Sequence, residues 1–143
     1  MKWLTWESVG VDRMACAWLI RRFVDQDAKF LFVPVGHKPL PEGAEPFDIP
    51  GVRYTHRRGH CTFHTMLKEF KLKDPVLDRI ARIVDEADTV QEITLEPVAT
   101  GLDFICRGIR LSSPDDYTAL ERGGFIYEAL YAKLSKELAE KKR

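Results

Sequence analysis

The chain has 143 residues, 45% apolar and 31% charged, with a formal net charge of zero. That length suits a single domain, residues 1–143, with a core of its own, and nothing in the bulk charge points to a nucleic-acid binder. The N-terminus carries no apolar signal core and no apolar run is long enough for a bilayer; Cys16, Cys61 and Cys106 are odd in number and widely spaced. These features exclude a membrane span and a disulfide framework, and set the expectation of a reducing, cytoplasmic location.

In chain order, "KWLTWESV" reads as a short strand of large and β-branched residues that Gly10 ends. Asp12 is the expected N-cap of a helix from Arg13 to Val24. Met14, Ala15, Ala17, Trp18, Leu19, Ile20, Phe23 and Val24 surround that helix, which places it in the centre of the domain. Arg21 and Arg22, in its last turns, are expected to satisfy the helix C-terminus and reach outward. "KFLFVPV" is the clearest strand. A Pro- and Gly-rich connection follows, with an extended piece at Phe47-Asp48-Ile49, then a second short strand over "VRYTH".

Thr62 is the expected N-cap of a helix striped by Phe63, Met66, Leu67 and Phe70. Asp74-Pro75 opens a third helix, with Asp as N-cap and Pro at its first position; Val76, Leu77, Ile80, Ile83, Val84 and Ala87 form its buried stripe. "PVATGLDFICRGIRL" is a fourth helix, weakened by Gly101 and Gly108. "SPDDYTAL" opens a fifth, expected to break at Gly123-Gly124, resume through "FIYEALYAKLSKEL" and fray in its charged tail. The fold expected is α+β: mainly helical, one domain, with a small β-sheet from the first 55 or so residues.

Three of the four histidines fall in "HRRGHCTFH", at His56, His60 and His64. Imidazole suits Zn, Fe and Mn, and carboxylates complete such sites. At 100° per residue His64 lies about 60° from Leu67, so it faces the domain rather than bulk water. Asp85 and Asp88 sit near the C-terminal end of the third helix, where carboxylates oppose the helix dipole and need a compensating cation. The same residues also suit a solvated helix end and histidines that bond backbone groups. The three cysteines read as core residues with nothing to activate them.

The run "VDRMACAWLIRRFVDQDAKFLFVP", followed in order by "FDIPG", "TH", "CTF", "DPVLDRIARIVDEAD" and "YEALYA", resembles the chromate-resistance family, the C-terminal domain of ChrB-type proteins. The resemblance spans nearly the whole chain. It implies a bacterial role in chromate resistance, as regulator or sensor of a chromate efflux operon or as an accessory protein. ChrB-type proteins carry a further N-terminal region that this chain lacks, so no direct nucleic-acid binding is expected. His56 matches the histidine of the family's "TH" and Asp88 matches its aspartate. The family usually reads Glu where this chain has His64, and His where it has Asp85. One imidazole gained and one lost, with carboxylates exchanged in return, is a change that a coordination sphere tolerates.

The resemblance therefore implies one transition-metal ion, Zn, Fe or Mn, held by His56, His64, Asp88 and Asp85, with His60 and Asp48 in reserve or orienting a ligand. That ion would sense or chemically handle chromate or reactive species. No residue is assigned a catalytic role. The alternative is a metal-free module that binds chromate or another small oxyanion, with Arg13 at a helix N-terminus as the main contact and Arg57 and Arg58 as a second patch. A third reading is a regulatory interaction domain that forms a homodimer through the stripe Tyr127, Leu130, Tyr131, Leu134 and Leu138.

Overall fold

The computed structural model describes residues 1–142. Three strands form a parallel sheet in the order β2-β1-β3: β1 is Lys2–Trp6, β2 Lys29–Val33 and β3 Glu45–Pro46. The β1–β2 register runs from Lys2 opposite Lys29 to Trp6 opposite Val33. Parallel neighbours cannot be joined by a tight hairpin, and the crossover here is a helix. Pro46, which has no N–H to give a ladder, sits on an edge strand. The expected α+β architecture, with its small N-terminal sheet, is what the chain forms.

Helix α1, Val11–Leu19, is the crossover, and it continues as one π-helical turn over Ile20–Val24. Its burial is nearly complete, and α2, α3, α4 and α5 all pack against it. The remaining helices are α2 Thr62–Glu69, α3 Pro75–Asp88, α4 Val98–Ser112 and α5 Asp116–Lys141. Tyr127 of α5 donates from its hydroxyl to the Val11 carbonyl at 2.7 Å, and its ring stacks on Trp18. Arg21 and Arg22 reach outward as expected, but their side chains pair with Glu121 and Glu128 of α5 and, for Arg21, the Ala28 carbonyl rather than with the carbonyls that end their own helix.

Four local expectations need correction. Asp12 is not the N-cap of α1. Gly10 takes that position, and the Asp12 carboxylate turns away to other elements. Thr62 is the first residue of α2 rather than its cap; Cys61 is the cap residue and its side chain caps nothing. "VRYTH" forms no strand, only a single bridge between Phe47 and Tyr54. Helix α5 does not break at Gly123-Gly124: Gly123 is where Met14 of α1 packs, and a Cβ there would lie 2.8 Å from the Met14 sulfur. The glycine is thus a close-approach position between two helices. The tail expected to fray is helical to Lys141, and Arg143 lies outside the described residues. The Tyr127 stripe of α5 is core: Tyr127 and Leu134 are buried, and Leu130, Tyr131 and Leu138 pack against the same cluster.

Candidate metal centre

Four elements converge on one atom. Asp12 lies in the first turn of α1, Asp48 in the loop after β3, His56 in the loop before α2, and Asp88 at the last residue of α3. His56 Nε2 is 3.1 Å from Asp12 Oδ2, 3.2 Å from Asp88 Oδ2 and 3.5 Å from Asp48 Oδ1. An imidazole nitrogen carries at most one hydrogen, so it can donate to only one of these oxygens and faces the other two with no proton to share. Donor atoms bound to one ion at about 2.1 Å stand roughly 3.0–3.4 Å apart, depending on coordination geometry. The three distances to His56 Nε2 are of that order, and one donor atom each from Asp12, Asp48 and His56 stand within 4.8 Å of one another, a group that does not include Asp88.

Backbone and side-chain bonds fix each carboxylate. Asp12 is 2% exposed. Its Oδ1 accepts the Phe63 N–H at 3.0 Å, and Oδ2 accepts the Thr62 N–H at 2.8 Å. Asp12 therefore caps α2 from another helix while it faces His56. Asp48 has φ +54°, in the left-handed region that aspartate tolerates better than most residues. Its Oδ1 accepts from the Thr62 hydroxyl at 2.6 Å, and Oδ2 pairs with Arg13 Nε at 3.1 Å. That contact is a charge pair rather than an aligned hydrogen bond, since Arg13 Nε finds no acceptor in its donor direction. Asp88 opposes the helix dipole at the end of α3. A cleft of about 560 Å³ opens over the cluster, with Trp6, Arg13, Pro50 and Gly51 among its walls.

The charges report the same imbalance. Hydrogen bonding to Asp12, with Asp48 and Asp88 adding to it, raises the His56 imidazole to about 12. Burial first, then the neighbouring Asp48, raises the Asp12 carboxyl to about 6. Crowding adds to both shifts: three carboxylates share a space where one arginine and one imidazole supply positive charge, an arrangement that favours a bound cation. The donor set of one imidazole nitrogen and carboxylate oxygens suits a borderline or hard divalent ion.

The sequence candidates divide between this cluster and a second one. His56 and Asp88 belong here, joined by Asp48 and by Asp12. His64 and Asp85 lie on either side of His60 instead. The His60 and His64 rings stack at 3.9 Å between centroids, and Asp85 Oδ2 is 2.7 Å from His60 Nδ1. Asp85 is the more buried of the two carboxylates of α3, and its Oδ1 accepts the Cys61 N–H at 2.7 Å. The two positions that depart from the family pattern therefore share one neighbour, His60. Burial, and then His60, lower the His64 pKa. Arg13, the anion candidate, is engaged by Asp48 twice, through the carboxylate and through the carbonyl at 3.0 Å. An anion at Arg13 would meet three carboxylates. Burial foremost raises the Cys16 and Cys61 thiols well above their ordinary values, which keeps them protonated.

Asp12 was hidden from sequence reasoning because a cap was the simpler role for it. One signal pointed elsewhere: a carboxylate at the start of a helix apolar on every side is buried and needs a partner.

Fold and site together define a small α+β domain built round a carboxylate–imidazole cluster. The family model described as "ChrB, C-terminal domain" matches residues 3–134, and the chain belongs to that family. Protein ChrB of Cupriavidus metallidurans is 33% identical over 135 residues, which cover 94% of this chain and 41% of that protein. The chain thus spans about two fifths of the length of that relative. No solved structure matches it.

Proposed function

We propose that the domain binds one divalent transition-metal ion, Zn, Fe or Mn, through Asp12, Asp48, His56 and Asp88, and serves chromate resistance through that ion. The observation that carries this reading is the convergence of three carboxylates on His56 Nε2, beneath an open cleft. A divalent ion would offset the excess negative charge, which one proton on His56 offsets only in part. Such an ion would offer an oxyanion a Lewis-acidic point of attachment. Arg13 would hold Asp48 in place, and Asp12 would tie the site to the start of α2. A sensory role within longer proteins, such as the relative above, belongs to the same reading.

The test is elemental analysis of protein purified without an affinity tag, beside His56→Ala and Asp88→Asn. About one equivalent of metal in the parent and little in either variant supports the site. Parent protein without metal after growth and refolding in Zn, Fe and Mn overturns it.

One observation favours a second reading, a metal-free oxyanion module. Arg57, Arg58, His60, His64, Thr65 and Lys68 line a separate cleft of about 220 Å³ with no carboxylate among them. Chromate titrated into metal-stripped protein distinguishes the two readings. Undiminished binding that Lys68→Ala weakens favours the cationic cleft, and binding that needs metal favours the first reading.

A further inference from the structure

We propose that α4 is the contact face of a homodimer, in which two copies of this chain pack their α4 helices antiparallel across a two-fold axis between Phe104 and Ile105. The proposal stands apart from the metal reading. It begins with where apolar surface is left uncovered. Of the large hydrophobic side chains exposed among the described residues, most fall between residues 90 and 125, and Val98, Phe104, Ile105 and Leu111 lie on α4 itself. Phe104 is 76% and Leu111 80% exposed. Leu102 and Cys106 take the buried side of the same helix.

The order of residues on the exposed side says what covers it. Gly101 lies three residues before Phe104 and Gly108 three after Ile105, and Val98 and Leu111 stand six before and six after the same two residues. At 100° per residue the two glycines fall within about 10° of the stripe's centre line, with Phe104 and Ile105 about 50° to either side. The face reads apolar, glycine, apolar and then the same in reverse. An isologous contact requires a patch to complement itself under a two-fold axis, and this patch does. In the antiparallel pair Gly101 meets the second copy's Gly108, and Val98 and Leu111, about 70° to either side of the centre line, flank the contact.

The glycines give the fit its depth. A Cβ at Gly101 or at Gly108 would have nothing within 4 Å, so the domain's own packing does not account for either residue. Both weaken the helix that carries them. Two helices that meet at glycine approach more closely than the usual 8–10 Å between axes. Charge does not oppose the contact: Asp103 and Arg107 pair with each other at 2.9 Å on the flank. Helix α4 is about 22 Å long, which suits the centre of an interface, and Ile93 and Leu95, both exposed, lie on the segment that leads into it.

The experiment is sedimentation equilibrium of the chain from low micromolar to several hundred micromolar, with Gly108→Leu beside it. The parent should reach twice the monomer mass, while the variant stays monomeric and, at low micromolar concentration where both are monomers, melts no lower than the parent, since its side chain enters open space. Mild oxidation of Cys variants tests the geometry, because the three native cysteines are buried. The double variant Gly101→Cys/Gly108→Cys should form a disulfide-linked dimer, and so should a mixture of the two single variants. Neither single variant alone should do so, because like positions lie about two helical turns apart. A parent monomeric throughout the range, a dimer indifferent to Gly108→Leu, or single variants that cross-link as readily as the double each overturn the proposal.

Discussion

His56 is the residue on which the candidate site turns, because one nitrogen faces three oxygens. In the metal-free protein its pKa stands near 12 against an ordinary 6.5. The native state then holds the proton more tightly than the unfolded chain does. Its contribution to stability is complete below pH 6.5 and is lost as pH rises towards 12. Asp12, raised from 3.8 to about 6, acts in the same direction: its contribution is complete below 3.8 and lost as pH rises through 6. Denaturant titrations of metal-free protein should therefore show stability falling from neutral to alkaline pH, and falling less in His56→Gln; equal slopes would remove His56 as the cause. A metal ion must displace that proton. Calorimetry in buffers of different ionisation enthalpy should find about one proton released per ion bound near neutral pH, and affinity that rises with pH.

At the scale of elements, local chemistry was legible where a residue acts on its own helix. Asp74 caps α3 and accepts the Val76 N–H at 2.8 Å, as the Asp-Pro pair promised. Asp74→Ala should cost about 1 kcal/mol of stability, measured by chemical denaturation. Asp12 was misjudged because its partners, Thr62 and Phe63, lie some fifty residues away, and no periodicity reports such a bond. Gly123-Gly124 looked like a break for a related reason. Propensity counts a glycine's cost to its own helix but not the Met14 side chain that takes its place. Two glycine substitutions should accordingly have opposite signs. In the separate monomer, at protein concentrations too low for association, Gly101→Ala enters open space and should stabilise the fold by roughly 0.5–1 kcal/mol. Gly123→Ala, against Met14, should destabilise it by roughly 1–3 kcal/mol. Urea midpoints compare the two directly. Of the site itself, His56 and Asp88 could be nominated from residue type and family pattern. Their separation from His64 and Asp85 could not, because it depends on which turn of α3 each carboxylate leaves.

For the molecule as a whole, the cluster ties α1, two loops and the far end of α3 to one point. An ion there acts as a clasp between segments distant in sequence. At a free metal concentration of a hundred times Kd it stabilises the native state by about 2.7 kcal/mol. For a domain of this size that is roughly 5–10 °C in Tm. A chelator should lower the Tm of the parent by that order and leave His56→Ala unchanged, as calorimetry can show. Equal shifts in both would place the metal elsewhere. Among the described residues no helix is long and apolar enough to cross a membrane.

Helix α2 has eight residues and no cap of its own. Its opening amides are instead held by carboxylates on two other helices, Cys61 by Asp85 and Thr62 and Phe63 by Asp12. The rate at which these backbone protons exchange with solvent deuterium therefore reports on neighbours remote in sequence. Asp12 offers Oδ1 to Phe63 alone of the two amides, while the Thr62 amide shares Oδ2 with His56. An ion that takes Oδ2 should shift the Thr62 amide resonance most and slow exchange at Phe63, while Cys61, tied to Asp85, stays nearly as it was. Three consecutive peaks in an NMR spectrum would then distinguish ligation at Asp12 from ligation at Asp85, with no substitution made.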